Sequence, residues 1–378
     1  MNKLSVSMKL VSPAFMGGAD PKKAELRTAS LRGLLHFWWR ATQPPMDPSK
    51  LLEKENALFG STKTGQSKFL ARVVEDKVTP LPVGKVVRNS IGYLGYGIAE
   101  YDRNARGVKT TRDALDAGSQ FTLRLLFKKG HEENKQGLLD ALWCLTYLGG
   151  MGSRSRRGFG SAVVTELEGA KFPTLPHSVE ELKQQIEEKF QELRLRDRNG
   201  LPEYTALSAL TKVRVLPLNT KSWENALQDV GDRLNAYRSA QKTERFHDDR
   251  DLILDYAYRG KKPNRAPRRA AFGLPHNYFF KQEPTKKVDV IGVERNRRAS
   301  PLFIHLHELR GGQLAAVLSF IPARFLPKGE QVKIGPAIEK KGQREREVEN
   351  DTFAPPPPDF GAVEGFLSSL GEALEVNS

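Results

Sequence analysis

The run GGMGSRSRRGFGS at residues 149–161 constrains the fold more tightly than any other stretch of this chain. It follows NKQGLLDALWCLTYLGG, in which Leu138, Leu142, Leu145 and Leu148 recur at helical spacing, and it precedes the short β-branched stretch GSAVVTELE. A nucleotide P-loop requires G-x-x-x-x-G-K-[ST], but five residues separate Gly152 from Gly158, and Phe159 stands where the lysine belongs. A dinucleotide fingerprint requires G-x-G-x-x-G running from strand to helix. Here Ser155 takes the third glycine position, and the order of elements is reversed. What remains is a helix–loop–strand junction carrying Arg154, Arg156 and Arg157, with ATP not expected as its ligand.

Upstream, residues 3–11 alternate as a strand and PAFMGGADPKK reads as a loop. In SLRGLLHFWWRAT, Ser30 is the expected N-cap, and Leu31, Leu34, Leu35 and Trp38 form an apolar stripe. Arg32, His36 and Arg40 share another face beside Trp39, which suits either a phosphate backbone or water. Strands are expected near 67–74 and 120–127, with the glycine-, tyrosine- and arginine-rich segment between them irregular. With a helix at 136–148 and a strand at 160–167, the order is β-α-β-β-α-β, the ferredoxin-like arrangement, whose open sheet often serves RNA recognition.

A charged helix at 178–196 joins this half to a second, in which TKVRVLPL reads as a strand and SWENALQDVGDRLNAYR as a helix. RGKKPNRAPRR, residues 259–269, carries cations without acids and reads as an extended exposed arm. Its Lys261, Lys262, Arg265, Arg268 and Arg269 suit phosphate contact or a solvated loop equally. SPLFIHLHEL and GQLAAVLSFIP read as paired strands, and a charged, proline-rich segment leads to a last helix with Val363, Leu367, Leu370 and Leu374 on one side.

The chain holds 378 residues, enough for two domains, with 60 Lys+Arg against 45 Asp+Glu for a net charge of +15. That excess points to a polyanionic partner. The single cysteine, Cys144, excludes an internal disulfide or a multi-cysteine zinc site and reads as a buried structural thiol. No apolar run reaches the roughly 18 residues of a membrane span, and the N-terminus lacks a signal-peptide core, so a cytoplasmic protein is expected.

FMGGADPKKAELRTASLRGLLHFWWRA resembles the N-terminal signature of the RAMP proteins of CRISPR systems, in particular the first RAMP subunit of the Cmr (type III-B) effector complex. Arg27, Ser30, Arg32, Gly33, His36, Trp38, Trp39 and Arg40 occupy the positions of that signature, with His36 where the family often has arginine. ENALFGS, the glycine-rich loop, FGLPHNY and RRASPLFIHL are similar to later motifs, so the resemblance runs from about residue 3 to about 325. It implies an α+β chain of two tandem ferredoxin-like domains, one over 1–175 with the glycine-rich loop and one over 200–378 with the basic arm and proline-rich tail. It further implies a non-catalytic RNA-binding subunit that contacts crRNA, target RNA and other Cmr subunits near the crRNA 3′-end side of a filament, with no cofactor or metal. Gly150 and Gly152 would let the backbone approach RNA closely, while Arg154, Arg156 and Arg157 would reach phosphates or bases.

The enzymatic alternative is a metal-independent RAMP endoribonuclease processing crRNA precursors, for which His36 is the best-placed proton carrier. His36 lacks a tyrosine or lysine partner at a telling spacing. His305 and His307 share a strand face without an evident carboxylate, which suits packing better than metal. FHDDRD, with His247 and Asp248, lacks the remaining ligands of a metal phosphohydrolase and reads as a solvated acidic cluster.

The charge balance makes a quantitative statement. Affinity for single-stranded RNA is expected to fall linearly with salt on a log–log plot, by filter binding or fluorescence anisotropy. A flat salt response would remove the polyanion reading.

Overall fold

Two copies of one topology account for most of the chain. The computed structural model describes all residues except 1–2, 88, 105, 240–243, 281–286, 295, 340–345, 349–353 and 378. The N-terminal unit runs β1 (Lys3–Leu10), α1 (Thr28–Thr42), α2 (Pro48–Phe59), β2 (Phe69–Lys77), α3 (Asn89–Leu94), β3 (Gln120–Phe127), α4 (Lys135–Tyr147) and β4 (Ala162–Glu168). Its sheet is antiparallel in the order β4-β1-β3-β2. After α5 (Val179–Glu192) come β5 (Lys212–Leu218), α6 (Trp223–Arg238), α7 (His247–Arg259), β6 (Leu302–Glu308), β7 (Leu314–Phe320), α8 (Gly361–Ser368) and β8 (Leu374–Val376). This second sheet is ordered β8-β5-β7-β6, which is the first order repeated strand for strand. The chain is therefore a tandem of ferredoxin-like α+β units.

Local sequence explains most elements. In β1, Leu4, Val6, Met8 and Leu10 all turn into the core, as period-two alternation requires. Leu31, Leu35 and Trp38 are the buried stripe of α1, which packs on α4. Ser178 caps α5 by accepting from the Glu181 backbone N–H, and Leu182, Ile186 and Phe190 form its buried face. Cys144 is buried in α4.

Three readings need correction. Helix α1 begins at Thr28, with Arg27 at the N-cap position and no side-chain cap, so Ser30 lies inside its first turn. The segment between β2 and β3 is not irregular. It forms α3 and a small sheet in which Gly107–Thr110 pairs with both Val86–Val87 and Ala99–Asp102, because Ile91, Ile98, Ala99 and Val108 bury into a shared core. Leu374 does not extend the last helix but opens β8, which pairs with β5. The connections α6–β6 and β7–α8 together build a further sheet from His276–Phe279, Lys287–Gly292, Val332–Glu339 and Arg346–Val348. The rest of the charged segment before the prolines lies outside the described residues.

The second sheet is buried on both faces. Leu302, Ile304 and Leu306 of β6 join the core beneath α6 and α8. Phe303, His305 and His307 point the other way, onto the N-terminal unit. The Phe303 ring lies 5.5 Å from Trp38, His305 Nδ1 lies 2.6 Å from the Gly149 carbonyl, and His307 lies 4.7 Å from Tyr147. Helix α5 packs against β5 and β8. The face that could have received RNA in this unit is thus shut. In the N-terminal sheet, by contrast, the paired Leu70 and Leu126 are solvent-exposed, beside the cross-strand pair Arg72 and Arg124.

Burial lowers His305 from 6.5 to about 4, because an imidazolium there would lose its water. Above pH 6.5 the ring is neutral folded and unfolded. Between 6.5 and about 4 only the unfolded chain gains the proton, so stability is lost as pH falls through that window. One such group accounts for roughly 3 kcal/mol. Denaturant melts at pH 7 and pH 4.5 are expected to show this loss, and His305→Gln is expected to flatten part of it.

Candidate nucleic-acid interface

The glycine-rich loop is built from backbone contacts that leave no room for side chains. Met151 N–H donates to Gly160 O at 2.9 Å, Ser153 N–H to Phe15 O at 2.9 Å, and Gly160 N–H to Pro13 O at 2.8 Å. At Gly160 the backbone has φ +66°, and a Cβ would lie 1.9 Å from Met151 O. A Cβ at Gly150 would lie 2.7 Å from Phe159 O, and one at Gly152 2.6 Å from Phe15 O. These two glycines fit the chain against itself, and only Gly152 has an exposed surface.

The three loop arginines diverge. Arg154, at φ 62°, is the exposed one. Its guanidinium lies 6.0 Å from the ring centre of Tyr96. Arg156 donates to Ser300 O at 2.5 Å and lies 4.3 Å over Phe303. Arg157 donates to Phe272 O at 3.4 Å. Burial, reinforced by neighbouring arginines, lowers Arg156 and Arg157 each to about 10. The expectation of three solvent-facing cations is corrected here: two of them cross to the second unit, because the loop sits on the seam.

Beside Arg154 lies a feature the sequence reading passed over. Tyr96 and Tyr101 are 73% and 61% exposed, which is unusual for two neighbouring aromatics. With Gly92, Gly97, Ala99, Glu100 and Val108 they line a surface cleft of about 450 Å³. The signal was present in GYLGYGIAEYDRNARG, which places three tyrosines among glycines and arginines.

The basic face of α1 is largely neutralised. Arg32 donates to Phe59 O and lies 5.5 Å over Phe69. His36 Nδ1 is 2.5 Å, and Arg40 Nη1 2.8 Å, from one oxygen of the buried Glu55. Burial lowers His36 below its usual value, although Glu55 opposes that shift. Trp39 is no platform for a base, since it is buried edge-on to Phe59 at 5.9 Å. Arg27 stays half-exposed, 3.6 Å from Glu25.

Residues 259–269 are not an extended arm throughout. Asp249 is fully buried and accepts from Arg265 and from the backbone N–H groups of Arg268 and Arg269, each at 2.8 Å. Asp248 accepts from Arg265 at 2.8 Å and Arg268 at 2.5 Å. The acidic stretch at the start of α7 is therefore a clamp and not a solvated cluster. It folds Arg268–Phe272 into a 3-10 turn. Lys261 and Lys262 remain exposed, with Lys261 3.1 Å from Asp255. Among the described residues no group of three His, Cys, Asp or Glu could hold a metal, and no helix is long and apolar enough to cross a membrane.

Residues 7–163, most of the N-terminal unit, match the model of the RAMP superfamily. The chain is 29% identical over 182 residues to CRISPR system Cmr subunit Cmr1-2 of Pyrococcus furiosus, covering 42% of this chain and 94% of that protein. It is 27% identical over 332 residues to Cmr1-1 of the same organism, covering 80% and 82%. A crystal structure of Cmr1 from Pyrococcus furiosus aligns over 100% of this chain and 99% of its own, with TM-score 0.58 and 20% identity. A chain of the type III-B Cmr-beta complex bound to cognate target RNA aligns over 97% and 98%, with TM-score 0.50 and 13% identity.

Removing the clamp has a defined cost. Asp249→Ala removes a buried acceptor shared by Arg265 and two backbone N–H groups and is expected to destabilise by about 3–5 kcal/mol. A shifted urea midpoint together with new proteolysis between residues 259 and 269 would report it.

Proposed function

We propose that this chain, a RAMP protein in its N-terminal half, is an RNA-holding subunit of a type III-B CRISPR effector complex and carries out no chemistry on the RNA. The sequence similarity to two Cmr subunits along most of their lengths supports membership in such a complex. The observation that carries RNA holding is the grouping of exposed Tyr96 and Tyr101 with exposed Arg154. Bases stack on aromatic faces while a guanidinium takes the phosphate, and neither contact requires a particular sequence. Exposed Arg27, Lys261 and Lys262 are further cations that RNA phosphates can meet, while Arg40 is held by Glu55. Arg32, Arg265, Arg268 and Arg269 act mainly through the folds they hold together. The proposed partners are crRNA and target RNA on one side and other subunits of the complex on the other.

A processing endoribonuclease is the second reading, and one observation favours it: His36 shares a short contact with buried Glu55, an arrangement able to move a proton. Against it, Arg40 occupies the same carboxylate oxygen, which holds Glu55 in a structural role.

Fluorescence anisotropy with a 20-nucleotide single-stranded RNA tests both readings. Tyr96→Ala with Tyr101→Ala is expected to weaken binding by roughly tenfold or more, since each stacked base contributes about 1–3 kcal/mol. Arg154→Ala is expected to lower the salt slope by about one. The RNA recovered afterwards should be intact. Unchanged affinity in both variants would overturn the proposed surface, and cleavage lost in His36→Ala would install the enzyme.

A further inference from the structure

Three polar side chains from three separate elements lie near the seam between the units, with Arg238 close enough to act on the charge of both others. Arg157 comes from the glycine-rich loop, Arg238 from the end of α6, and His276 from the first strand of the added sheet. Phe272 touches both arginines, with its carbonyl 3.4 Å from Arg157 Nη2 and its ring 4.8 Å from the Arg238 guanidinium. Arg238 also donates to the Tyr93 hydroxyl at 2.8 Å. Arg157 Nη1, Arg238 Nε and His276 Nδ1 are buried with no hydrogen-bond partner. Buried polar groups in folded proteins are nearly always paired, and unpaired buried charge is the costliest exception.

The surrounding groups deepen the deficit. After burial itself, Arg238 acts most strongly on the Arg157 charge, with Arg154 and Arg156 adding to it. Arg238 and Arg269 act likewise on His276, whose imidazole is held well below its usual value. Asp249 lies 3.7 Å from Arg269 but already accepts from Arg265 and two backbone amides. The aromatic rings of Phe272 and Tyr93 offset part of the cost through cation–π contact. They leave Arg157 Nη1, Arg238 Nε and His276 Nδ1 without a partner.

We propose that Arg157, Arg238 and His276 bind one phosphate group between the two ferredoxin-like units. A tetrahedral oxyanion presents oxygens in several directions, so it can accept from donors that converge from three elements. Guanidinium groups recognise phosphate with short charge-assisted hydrogen bonds. A bound phosphate would also tie the loop to α6 and to the added sheet, coupling occupancy to how firmly the units hold together. The inference stands apart from the RNA-holding reading, because free phosphate and an RNA phosphodiester offer the same chemistry.

Isothermal titration of the full chain with inorganic phosphate, against sodium chloride at matched ionic strength, tests it. One saturable site and a raised melting temperature are expected with phosphate and not with chloride. Arg157→Met is expected to weaken phosphate binding at least tenfold. His276→Phe keeps a ring stacked on Tyr278 and so guards against simple unfolding; it is expected to weaken binding as well. Equal responses to phosphate and chloride, or a phosphate shift undiminished in both variants, would overturn the site. Repeating the titration after saturation with the 20-nucleotide RNA separates the sources: a lost phosphate isotherm assigns the site to an RNA phosphodiester, and an unchanged one to free phosphate. Should the chain bind no RNA at all, the phosphate isotherm alone still decides the proposal.

Discussion

The contact between His305 and the Gly149 carbonyl marks the constraint on which the rest of the molecule depends. It lies where the second sheet presses its Phe303–His307 face onto the end of α4 and the start of the glycine-rich loop. Everything near it answers to close approach. A side chain at Gly149 would strike the Trp38 indole, and one at Gly158 would strike Leu227. The loop is flexible in composition and rigid in place, because its glycines are filled in by neighbours and not by solvent. Arg156 and Arg157 cross the seam for the same reason, which leaves Arg154 as its outward cation.

Charge is spent internally to a degree that the net value of +15 conceals. One buried glutamate, Glu55, holds two cations of α1, and one buried aspartate, Asp249, organises the turn after α7. Both carboxylates do what scattered surface pairs cannot, since a buried acceptor with several donors fixes geometry. The cations left for a polyanion are fewer than composition suggests, and among them Arg154 stands beside the exposed ring of Tyr96.

Much of the architecture was legible beforehand. The alternation in β1, the leucine spacing of α4 and the paired strands β6 and β7 follow from period and propensity, which are local. The β-α-β-β-α-β order of the first half followed from them. What stayed hidden depends on long-range pairing. No local signal shows that Glu55 turns inward to meet His36, nineteen residues earlier, or that Asp249 reaches residues 265–269. The exposed tyrosines were missed because a segment rich in glycine reads as loop, and only tertiary packing against Phe159 and its neighbours gives that segment a helix and strands. Trp39 misled in the opposite direction: a tryptophan beside arginines suggests a nucleic-acid surface, whereas its ring packs on Phe59.

The two sheets share a strand order but not an environment, and their tolerance to sequence change differs accordingly. In β1 every second residue meets the core, so half of its positions are free to drift in polarity. In β7, Leu314–Phe320, every residue is buried. A strand with no outward side has lost the alternation that ordinarily identifies it, and each of its positions is judged by volume. Among relatives, the N-terminal sheet can diverge at its open face while keeping its fold. In the second sheet a change of volume must be matched by the unit that covers it, so the same substitution carries a different cost in the two halves.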